Sequence, residues 1–261
     1  MIRALDVVVP AHDEEAMLGA CLASIRRALR HPALHGIQAH LAVVLDTCSD
    51  TSGEVAETAL RGVPGAQIVE CRARSAGRAR SAGIEHLGRG GAEAERAATW
   101  IATTDADTRV PDDWLARQLI AADAGADAVA GVVDIDDWGR QPLRVRRTFA
   151  DVYRRGCTAT GHRHVHGANL GVRASALAAA GGMPALALAE DHALVERLAA
   201  SGAVILASPS LRVRTSARCE ARASGGFSDF LRTLGHAAPA DDDADQKNGE
   251  RATWTPATRS R

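Results

Sequence analysis

The feature that most constrains the fold is a regular alternation of short apolar runs with helical patterns over the first half of the chain. The apolar runs are rich in Val, Ile and Leu and are bounded by polar or Gly residues, which is typical of buried strands. They cover Leu5–Pro10, Ala39–Leu45, Ala66–Cys71, Trp100–Thr104 and Ala128–Val133. Helical spacing lies between them, over Glu15–Leu29, Gly53–Leu60, Arg78–Leu87 and Asp113–Ala122. This alternation predicts an α/β fold with a mainly parallel sheet covered by helices on both faces.

The second half of the chain has a less regular pattern. Helices are predicted over Leu143–Arg155, Ala174–Ala180 and His192–Ala200, and strands over Ala203–Leu206 and Leu211–Thr215. From His236 onward, Asp, Asn, Gly, Thr, Ser and Arg dominate, and such a segment buries too little apolar surface to fold. We therefore predict a single domain over residues 1–235 and a disordered tail over residues 236–261.

Composition and charge exclude several classes of protein. A chain of 261 residues with 46% hydrophobic content is large enough to bury one sizeable core. Its formal net charge of -1 argues against a nucleic-acid-binding protein held by phosphate contacts. No apolar run is long enough to span a membrane, and the N-terminal residues lead into the first strand without the apolar stretch of a signal peptide. These features predict a cytoplasmic protein without a transmembrane segment.

Carboxylates follow three of the predicted strands at the point where each strand ends. Asp13 and Glu14 come after the first strand, Asp46 after the second, and Asp105 and Asp107 after the fourth. In an open parallel sheet these strand ends lie at one edge, which is where such sheets bind ligands. The alternative is that acidic residues cap the helices that follow, and this accounts well for Asp50 and Asp112.

Asp105 and Asp107 form the most distinctive pair because they stand one residue apart directly after a buried strand. Charges this close repel each other unless a cation lies between them. Carboxylate oxygens suit Mg²⁺ and Mn²⁺, which commonly bridge a few carboxylates to the phosphates of a substrate. The sequence therefore predicts a metal–diphosphate site at this strand end, with Mn²⁺ or Mg²⁺ as the cofactor.

A series of short motifs runs through the chain in unbroken order. They are Val7–Glu15, Val43–Asp50, Ser75–Gly83, Asp105–Asp107, His166–Arg173, Gly181–Met183 and Glu190–Asp191. In this order they resemble the family 2 glycosyltransferases, which have the GT-A fold. The resemblance implies a Rossmann-like, mainly parallel sheet, with a nucleotide-binding half over residues 1–134 and a less regular acceptor-side half over residues 135–235. It also implies an enzyme that transfers a sugar from a nucleotide-sugar donor to a hydroxyl acceptor with inversion of configuration.

The first motifs imply a site for the nucleoside of the donor. Pro10, Ala11 and Glu14 would line the nucleoside pocket, and Asp46 would accept a hydrogen bond from a uracil-like base. A UDP-sugar is the preferred donor on this resemblance, and a guanosine donor is the alternative. The sequence does not indicate the acceptor or the oligomeric state.

The middle motifs imply a site for the diphosphate and the metal. Arg78 would approach the base or the diphosphate, and Gly77 would leave room for it. Asp105 would contact the ribose or a metal-bound water, and Asp107 would ligate the metal directly. Both carboxylates are thus assigned to the metal site.

The last motifs imply the catalytic residues and the cleft. Asp191 would be the base that accepts the proton of the acceptor hydroxyl, and Glu190 would support its position. Gly167, Ala168 and Asn169 would shape the cleft for the donor sugar and the acceptor. The alternative for Asp191 is that it merely caps the predicted helix His192–Ala200 at its N-terminus.

Some positions depart from the usual pattern of the family. Leu45 replaces the first acidic residue of a common pair, and His12 and Asp13 stand where Tyr and Asn are frequent. Several related enzymes complete the metal site with a His late in the fold, and the segment Arg212–Ser216 contains none. The resemblance therefore leaves water or Thr215 for that position.

Three other groups of residues leave their role open. His162, His164 and His166 alternate, so on a strand they would share one face and either bind a metal such as zinc or line an acceptor cleft or surface loop. The predicted helix Leu143–Arg155 carries five arginines, Arg144, Arg146, Arg147, Arg154 and Arg155. They form either a solvated helix face or a surface that contacts an anionic acceptor or a membrane. Four arginines late in the chain would hold the diphosphate: Arg212, Arg214, Arg218 and Arg222. The nearby segment Ser224–Phe227 is either a hinge or the start of a helix.

Two further classes compete with the transferase. A nucleotidyltransferase would show a Gly-rich basic phosphate loop after the first strand, where this chain has Ala11–Glu15. A non-catalytic nucleotide-sugar-binding protein would tolerate the loss of Asp107 and of the Glu190–Asp191 pair, and all three are present. A dinucleotide dehydrogenase is disfavoured because no Gly-x-Gly-x-x-Gly motif follows the first strand.

Overall fold

The computed structural model describes residues 1–88, 91–158, 161–186, 188–218 and 231–234. The strands are β1 (Ala4–Ala11), β2 (Gln38–Asp46), β3 (Ala66–Cys71), β4 (Thr99–Thr103), β5 (Ala128–Ile135), β6 (Leu170–Arg173) and β7 (Ile205–Thr215). The helices are α1 (Leu18–Ala28), α2 (Ser52–Leu60), α3 (Ala76–His86), α4 (Glu93–Ala97), α5 (Trp114–Asp123), α6 (Leu143–Gly156), α7 (Ala174–Ala179) and α8 (Glu190–Ala200). Short 3-10 turns cover Pro32–Leu34 and Gly167–Asn169.

The strands form one seven-stranded sheet in the order β3-β2-β1-β4-β6-β5-β7. Strands β1 to β4 pair in parallel, and β5 pairs in parallel with β7. Only β6 runs against its neighbours β4 and β5 among the strands of the described ranges. The predicted α/β fold with a mainly parallel sheet is therefore confirmed.

The central strand β1 shows why the sheet must be covered on both faces. All eight of its residues are buried. Leu5, Val7 and Val9 belong to a core cluster that includes apolar residues of α1, whereas Val8 packs with Val44 and with Ala79 of α3 on the opposite face. Because successive side chains of a strand point to opposite faces, a strand with buried apolar side chains on both faces requires a helix on each side.

The five strands predicted in the first half are present, with ends shifted by at most two residues. The two strands predicted late in the chain are instead one strand, β7, with a register shift opposite Gly131 and Val132. Pro209 lies within that irregular stretch and has no N–H to donate to the ladder, so the sequence there breaks the strand pattern without ending the strand. The short elements β6 and α4 were not predicted, because four or five residues are too few to show a period.

Helix α6 has the basic surface that its sequence predicts. Val145, Phe149 and Tyr153 recur every fourth residue and are buried, whereas Arg144, Arg147, Arg154 and Arg155 are exposed. Arg146 is half-buried, and its guanidinium lies 5.9 Å from the ring centroid of Trp138. Most of the arginine cluster is therefore a solvated helix face in this structure.

Asn169 is buried in the core, and its predicted part in shaping the cleft for the donor sugar and the acceptor stays a prediction. The residue is 0% exposed. Its amide nitrogen donates to the carbonyls of Val132 and Leu211, each at 2.9 Å, and its side-chain oxygen accepts from the indole of Trp114 at 2.9 Å. One amide thus satisfies polar groups of β5, β7 and α5 that water cannot reach, so Asn169 joins core elements. Ala168 beside it is also buried, at 5% exposed.

The sheet draws strands from both of the predicted halves, since β6 and β7 pair with β4 and β5. The domain bounds of residues 1–134 and 135–235 stay a prediction. The predicted tail at residues 236–261, the predicted hinge Ser224–Phe227 and Arg222 lie outside the described residues. Within the described ranges, every helix is too short or too polar to cross a lipid bilayer. The predicted cytoplasmic location stays a prediction.

We expect Asn169→Ala to lower the free energy of unfolding by about 3 kcal/mol, because it leaves two carbonyls and one indole N–H without a partner in the core. Chemical denaturation measures this change. Asn169→Asp, which has the same shape but lacks the two donors, should be at least as destabilising. Gln67→Ala, which removes an exposed amide, is the control and should change stability by less than about 0.5 kcal/mol. A similar small loss in Asn169→Ala would contradict the proposed role in the core.

Candidate functional site

The loops that follow β1 and β2 are fastened to each other at the carboxyl edge of the sheet. Asp13 accepts hydrogen bonds from the backbone N–H of Ser49 at 2.6 Å and of Asp50 at 3.2 Å. These amides lower the pKa of Asp13, with Ser49 as the largest cause. The N–H of Glu14 donates to the hydroxyl of Ser52 at 2.7 Å. Asp13 and the backbone of Glu14 therefore hold the loop after β1 against the loop after β2.

Asp46 at the end of β2 holds the segment that leads into α3. Its carboxylate accepts the backbone N–H groups of Ala73 at 2.7 Å, Arg74 at 2.9 Å and Ser75 at 2.9 Å, and the hydroxyl of Thr47 at 3.1 Å. Burial alone would raise the pKa of Asp46, but these amides lower it below the usual value. Oδ1 accepts three of these hydrogen bonds and Oδ2 accepts the fourth, from Ser75, so most of the acceptor capacity of the carboxylate is used within the loop. Its predicted contact with a base stays a prediction, and its structural role is to shape the loop before α3.

The most deeply buried cation of the site is Arg80 in α3, which is 2% exposed. One terminal nitrogen of its guanidinium pairs with Asp105 after β4, and the other pairs with Glu190 at the start of α8. A Cβ atom at Gly167 would lie only 2.5 Å from this guanidinium. The lack of a side chain at Gly167 therefore lets the guanidinium of Arg80 lie against the 3-10 turn. The carbonyl of Gly167 accepts a hydrogen bond from the Thr103 hydroxyl at 2.8 Å.

Asp105 lies where negative charge is in excess. Its partial burial raises its pKa to about 6, together with the carboxylates of Asp107, Glu190 and Asp191 and against the effect of Arg80. One guanidinium is thus not enough to balance the carboxylates around Asp105. Such a group of hard oxygen atoms fits a divalent cation.

Asp107 has side-chain partners at the end of β7 and in the segment that follows it. One of its oxygens accepts from the guanidinium of Arg218, which also donates to Glu14 at 2.6 Å. Its other oxygen lies 3.4 Å from the hydroxyl of Thr215, the residue that the sequence left for the late position of the metal site. The segment after β7 therefore brings an arginine, and not a histidine, to the predicted metal ligand.

Asp191 is an ionised carboxylate held by two backbone groups. It accepts from the N–H of Gly167 at 2.9 Å and from the N–H and ring Nδ1 of His192 at 2.8 and 3.0 Å. Burial alone would raise the pKa of Asp191, but His192 and the charge of Arg80 lower it to about 2. The N-cap of α8 is Ala189, at a φ of 54°, so the alternative that Asp191 caps the helix is wrong.

The three histidines before the 3-10 turn are stacked in a row in the interior and do not form a metal site. The rings of His162 and His164 lie 6.0 Å apart and those of His164 and His166 lie 6.2 Å apart. Tyr153 of α6 stacks on His164 at 4.0 Å and its hydroxyl bonds to His166. Burial lowers the pKa of all three imidazoles, that of His166 to about 3. They are therefore neutral, and the zinc alternative has no support in this geometry.

Among the described residues, one set of three His, Cys, Asp or Glu side chains has all its ligand atoms close enough together to hold a metal ion, and it consists of Asp13, Cys48 and Asp50. Both carboxylates in it already accept backbone amides of the two loops, and the Cys48 thiol donates to the Ala11 carbonyl at 3.4 Å. Hydrogen bonds within the loops thus account for this cluster.

Two adjoining cavities open beside these side chains. One has a volume of about 470 Å³ and is lined by Asp107, Arg218 and neighbouring residues. The other, of about 640 Å³, is lined by Tyr153 and other residues of α6 and β7. Asp136 and Arg214 line both, so the cavities form one groove that leads away from Asp107.

The remaining predicted residues are placed as follows. Pro10 and Ala11 are buried at the end of β1, next to the loops described above. Arg78 is exposed and forms no ion pair with the described residues. Gly77 makes room for Glu190, because a Cβ there would lie 2.8 Å from Cγ of Glu190, and its predicted role beside Arg78 stays a prediction.

Arg80 is the central residue that the sequence analysis did not assign. It lies within the Ser75–Gly83 motif, and helical spacing puts it on one face with Gly77 and Gly83. A charged residue between two glycines on the buried face of a helix indicates a close approach of other chain segments. That spacing was the signal available in the sequence.

Comparison with protein families gives a match between residues 6–180 and the family described as glycosyl transferase family 2. Comparison with curated protein sequences gives no match. The matched region contains Asp46, Arg80, Asp105 and Asp107, whose geometry is described above.

Similar solved structures come from several proteins. Mannosyltransferase PcManGT from Pyrobaculum calidifontis, in complex with GDP-Man and Mn²⁺, has a TM-score of 0.62 and 20% identity, over 82% of this chain and 57% of that one. S. aureus TarS 1-349 in complex with UDP has a TM-score of 0.59 and 14% identity, over 83% of this chain and 61% of that one. GalNAc-T7 with UDP, GalNAc and Mn²⁺ has a TM-score of 0.59 and 16% identity, over 83% of this chain and 44% of that one. The likeness establishes the GT-A fold, and the chain spans less than two thirds of each of these proteins.

We expect Gly77→Ala to destabilise the protein by about 1–3 kcal/mol, because the new methyl group would overlap Glu190 and the Pro184 carbonyl. Gly19→Ala in α1 is the matched control. Its Cβ would meet nothing nearer than Val55 at 3.6 Å, so it should stabilise the protein by about 0.5–1 kcal/mol. Denaturation midpoints measure both changes. Equal stabilisation by the two variants would show that α3 does not pack closely on Glu190.

Proposed function

The chain belongs to glycosyl transferase family 2, and we propose that it transfers a sugar from a UDP-sugar to a hydroxyl group of an acceptor, with inversion at the anomeric carbon. The observation that carries this proposal is the group formed by Asp105, Arg80 and Glu190, which joins the end of β4 to the start of α8. It brings a predicted metal ligand and a predicted base to one edge of the sheet. The solved structures with UDP or GDP-Man support a nucleoside-diphosphate donor.

We propose that Asp107, assisted by Asp105, holds Mn²⁺ or Mg²⁺. Burial raises the pKa of Asp105, and the carboxylates of Asp107, Glu190 and Asp191 raise it further, so a cation bound here would offset their charge. The Mn²⁺ complexes of PcManGT and GalNAc-T7 also support this assignment. A bound divalent ion offsets the charge that develops on the leaving nucleoside diphosphate. Glu14, Pro10 and Ala11 lie at the adjoining strand end, where the nucleoside would bind.

In this proposal Asp191 is the catalytic base. Its low pKa keeps the carboxylate ionised at neutral pH, which is the form that accepts a proton. The backbone N–H of Gly167 and the residue His192 fix its orientation. Glu190 is neutralised by Arg80 and holds the first turn of α8 in place. The acceptor hydroxyl loses its proton to Asp191 as its oxygen bonds to the anomeric carbon and the bond from that carbon to the nucleoside diphosphate breaks. Because the one carboxylate acts opposite the leaving group, this step predicts inversion.

We expect Asp191→Asn to lower the turnover of a donor–acceptor pair by about 100-fold or more, because an amide does not accept the proton. Binding of the donor nucleotide should stay near that of the wild type, since Asn retains the shape and the contact with Gly167. Glu196→Gln, an exposed change on the same helix, is the control and should keep full turnover. Retained turnover in Asp191→Asn would remove this residue from the mechanism.

We expect one class of nucleotide sugar to raise the melting temperature in a screen of UDP, GDP, dTDP and CMP sugars with and without Mn²⁺. A ligand of the folded state adds about 2.7 kcal/mol at one hundred times its Kd. The shift should be larger with Mn²⁺ and lost in Asp107→Ala. Asp151→Ala, an exposed change on α6, should retain it. No shift with any nucleotide sugar would contradict the donor assignment.

A further inference from the structure

Arg218 lies where the end of β7 meets the loop after β1. Its Nη2 atom donates to Oε1 of Glu14 at 2.6 Å and also to Oδ2 of Asp107. The side chains are 23% exposed for Arg218, 7% for Glu14 and 13% for Asp107, so water screens this charge group weakly. The guanidinium is therefore a weakly screened positive charge at the predicted metal ligand.

A divalent ion and this guanidinium need the same carboxylate. Arg218 occupies Oδ2 of Asp107, whereas Oδ1 lies 3.4 Å from each of the hydroxyls of Thr108 and Thr215. A cation bound to Asp107 would lie within a few ångströms of the guanidinium, where two positive charges repel each other strongly. Binding of the ion thus requires Arg218 to leave Asp107.

The cavity beside Asp107 provides a place for the displaced side chain. Arg218 already lines this cavity of about 470 Å³, together with Arg109 and Arg214. Those two arginines share the single carboxylate of Asp136, so one positive charge is left over there. Once displaced, Arg218 would add a further guanidinium to the cavity, and guanidinium groups bind phosphate oxygens through two parallel hydrogen bonds.

We propose that Arg218 and the divalent ion compete for Asp107, and that the displaced guanidinium pairs with the diphosphate of the donor. This inference rests on the proposed function. The donor-free site is then held closed by an internal cation, and metal and diphosphate together replace it. Arg218 takes part in donor binding, whereas a purely structural ion pair would only tie the end of β7 to the loop after β1.

The exchange predicts effects of opposite sign on two ligands. Without nucleotide, Arg218→Gln should bind Mn²⁺ about tenfold more tightly, because Glu14 and Asp107 lose their competing cation. With Mn²⁺ at saturation, the same variant should bind UDP about tenfold more weakly, because a charged partner of the diphosphate is lost. Free Mn²⁺ measured by electron paramagnetic resonance and UDP binding measured by calorimetry give the two affinities.

Arg27→Gln is the matched control for this experiment. Arg27 lies in the last turn of α1, is exposed, pairs with Asp112 at 3.0 Å and lines neither cavity, so the same change of charge is made outside the site. Both affinities should stay within about twofold of the wild type. The double variant Arg218→Gln/Asp107→Ala assigns the site, because it should lose the gain in Mn²⁺ affinity.

The outcomes separate this inference from the proposed function. Unchanged or weaker Mn²⁺ binding by Arg218→Gln would overturn the competition, and so would a gain that survives in the double variant. If Mn²⁺ binding tightens but UDP binding is unchanged, the competition stands and the contact with the diphosphate is wrong. If the wild type binds neither UDP nor GDP-sugars, the proposed function fails together with the diphosphate contact, while the nucleotide-free Mn²⁺ measurement still decides the competition. Arg218→Lys, which keeps the charge, should resemble the wild type in Mn²⁺ affinity and shows whether the fold tolerates a change at this position.

Discussion

The buried guanidinium of Arg80 is the constraint on which the rest of the site depends. It pairs with Asp105 from the end of β4 and with Glu190 from the start of α8, so it sets the distance between these two segments of the chain. Removing one partner of such a buried group typically costs about 3–5 kcal/mol, because it leaves an uncompensated charge in the interior. Two glycines adapt to this arrangement. Gly167 admits the guanidinium, and Gly77 admits the side chain of Glu190.

The two arginines of the site differ in how firmly they are held. Arg80 is 2% exposed and is enclosed by a helix, a strand end and a 3-10 turn, so it is a permanent part of the fold. Arg218 is 23% exposed and lines a cavity, so its contact with Asp107 is open to exchange. The site therefore combines one fixed positive charge, which positions the carboxylates, with one at the rim that a ligand is able to replace. The pKa of Asp105 remains raised, chiefly by burial and further by the carboxylates of Asp107, Glu190 and Asp191, although Arg80 lowers it.

Many of the residues singled out in the sequence do lie at one edge of the sheet, but with other partners than the sequence analysis assigned. Asp46 accepts backbone amides of the segment before α3, and Asn169 joins core elements. Both are polar residues whose type suits either a ligand contact or a backbone contact. Short polar side chains satisfy buried backbone groups in many folds. A motif therefore predicts where such a side chain lies more reliably than it predicts which group the side chain contacts.

The alternation of apolar runs with helical patterns determined by itself the α/β class and the five strands of the first half, because period and burial are local properties of the chain. The order of the motifs determined the family, because each motif is a short local stretch of the chain. Only the tertiary structure decided which charges meet. Arg80 and Glu190 are 110 positions apart in the sequence, and Glu14 and Arg218 are 204 apart. Periodicity contains no information on such pairs, which form only because the sheet order places β4, α8 and the end of β7 around the same edge as β1.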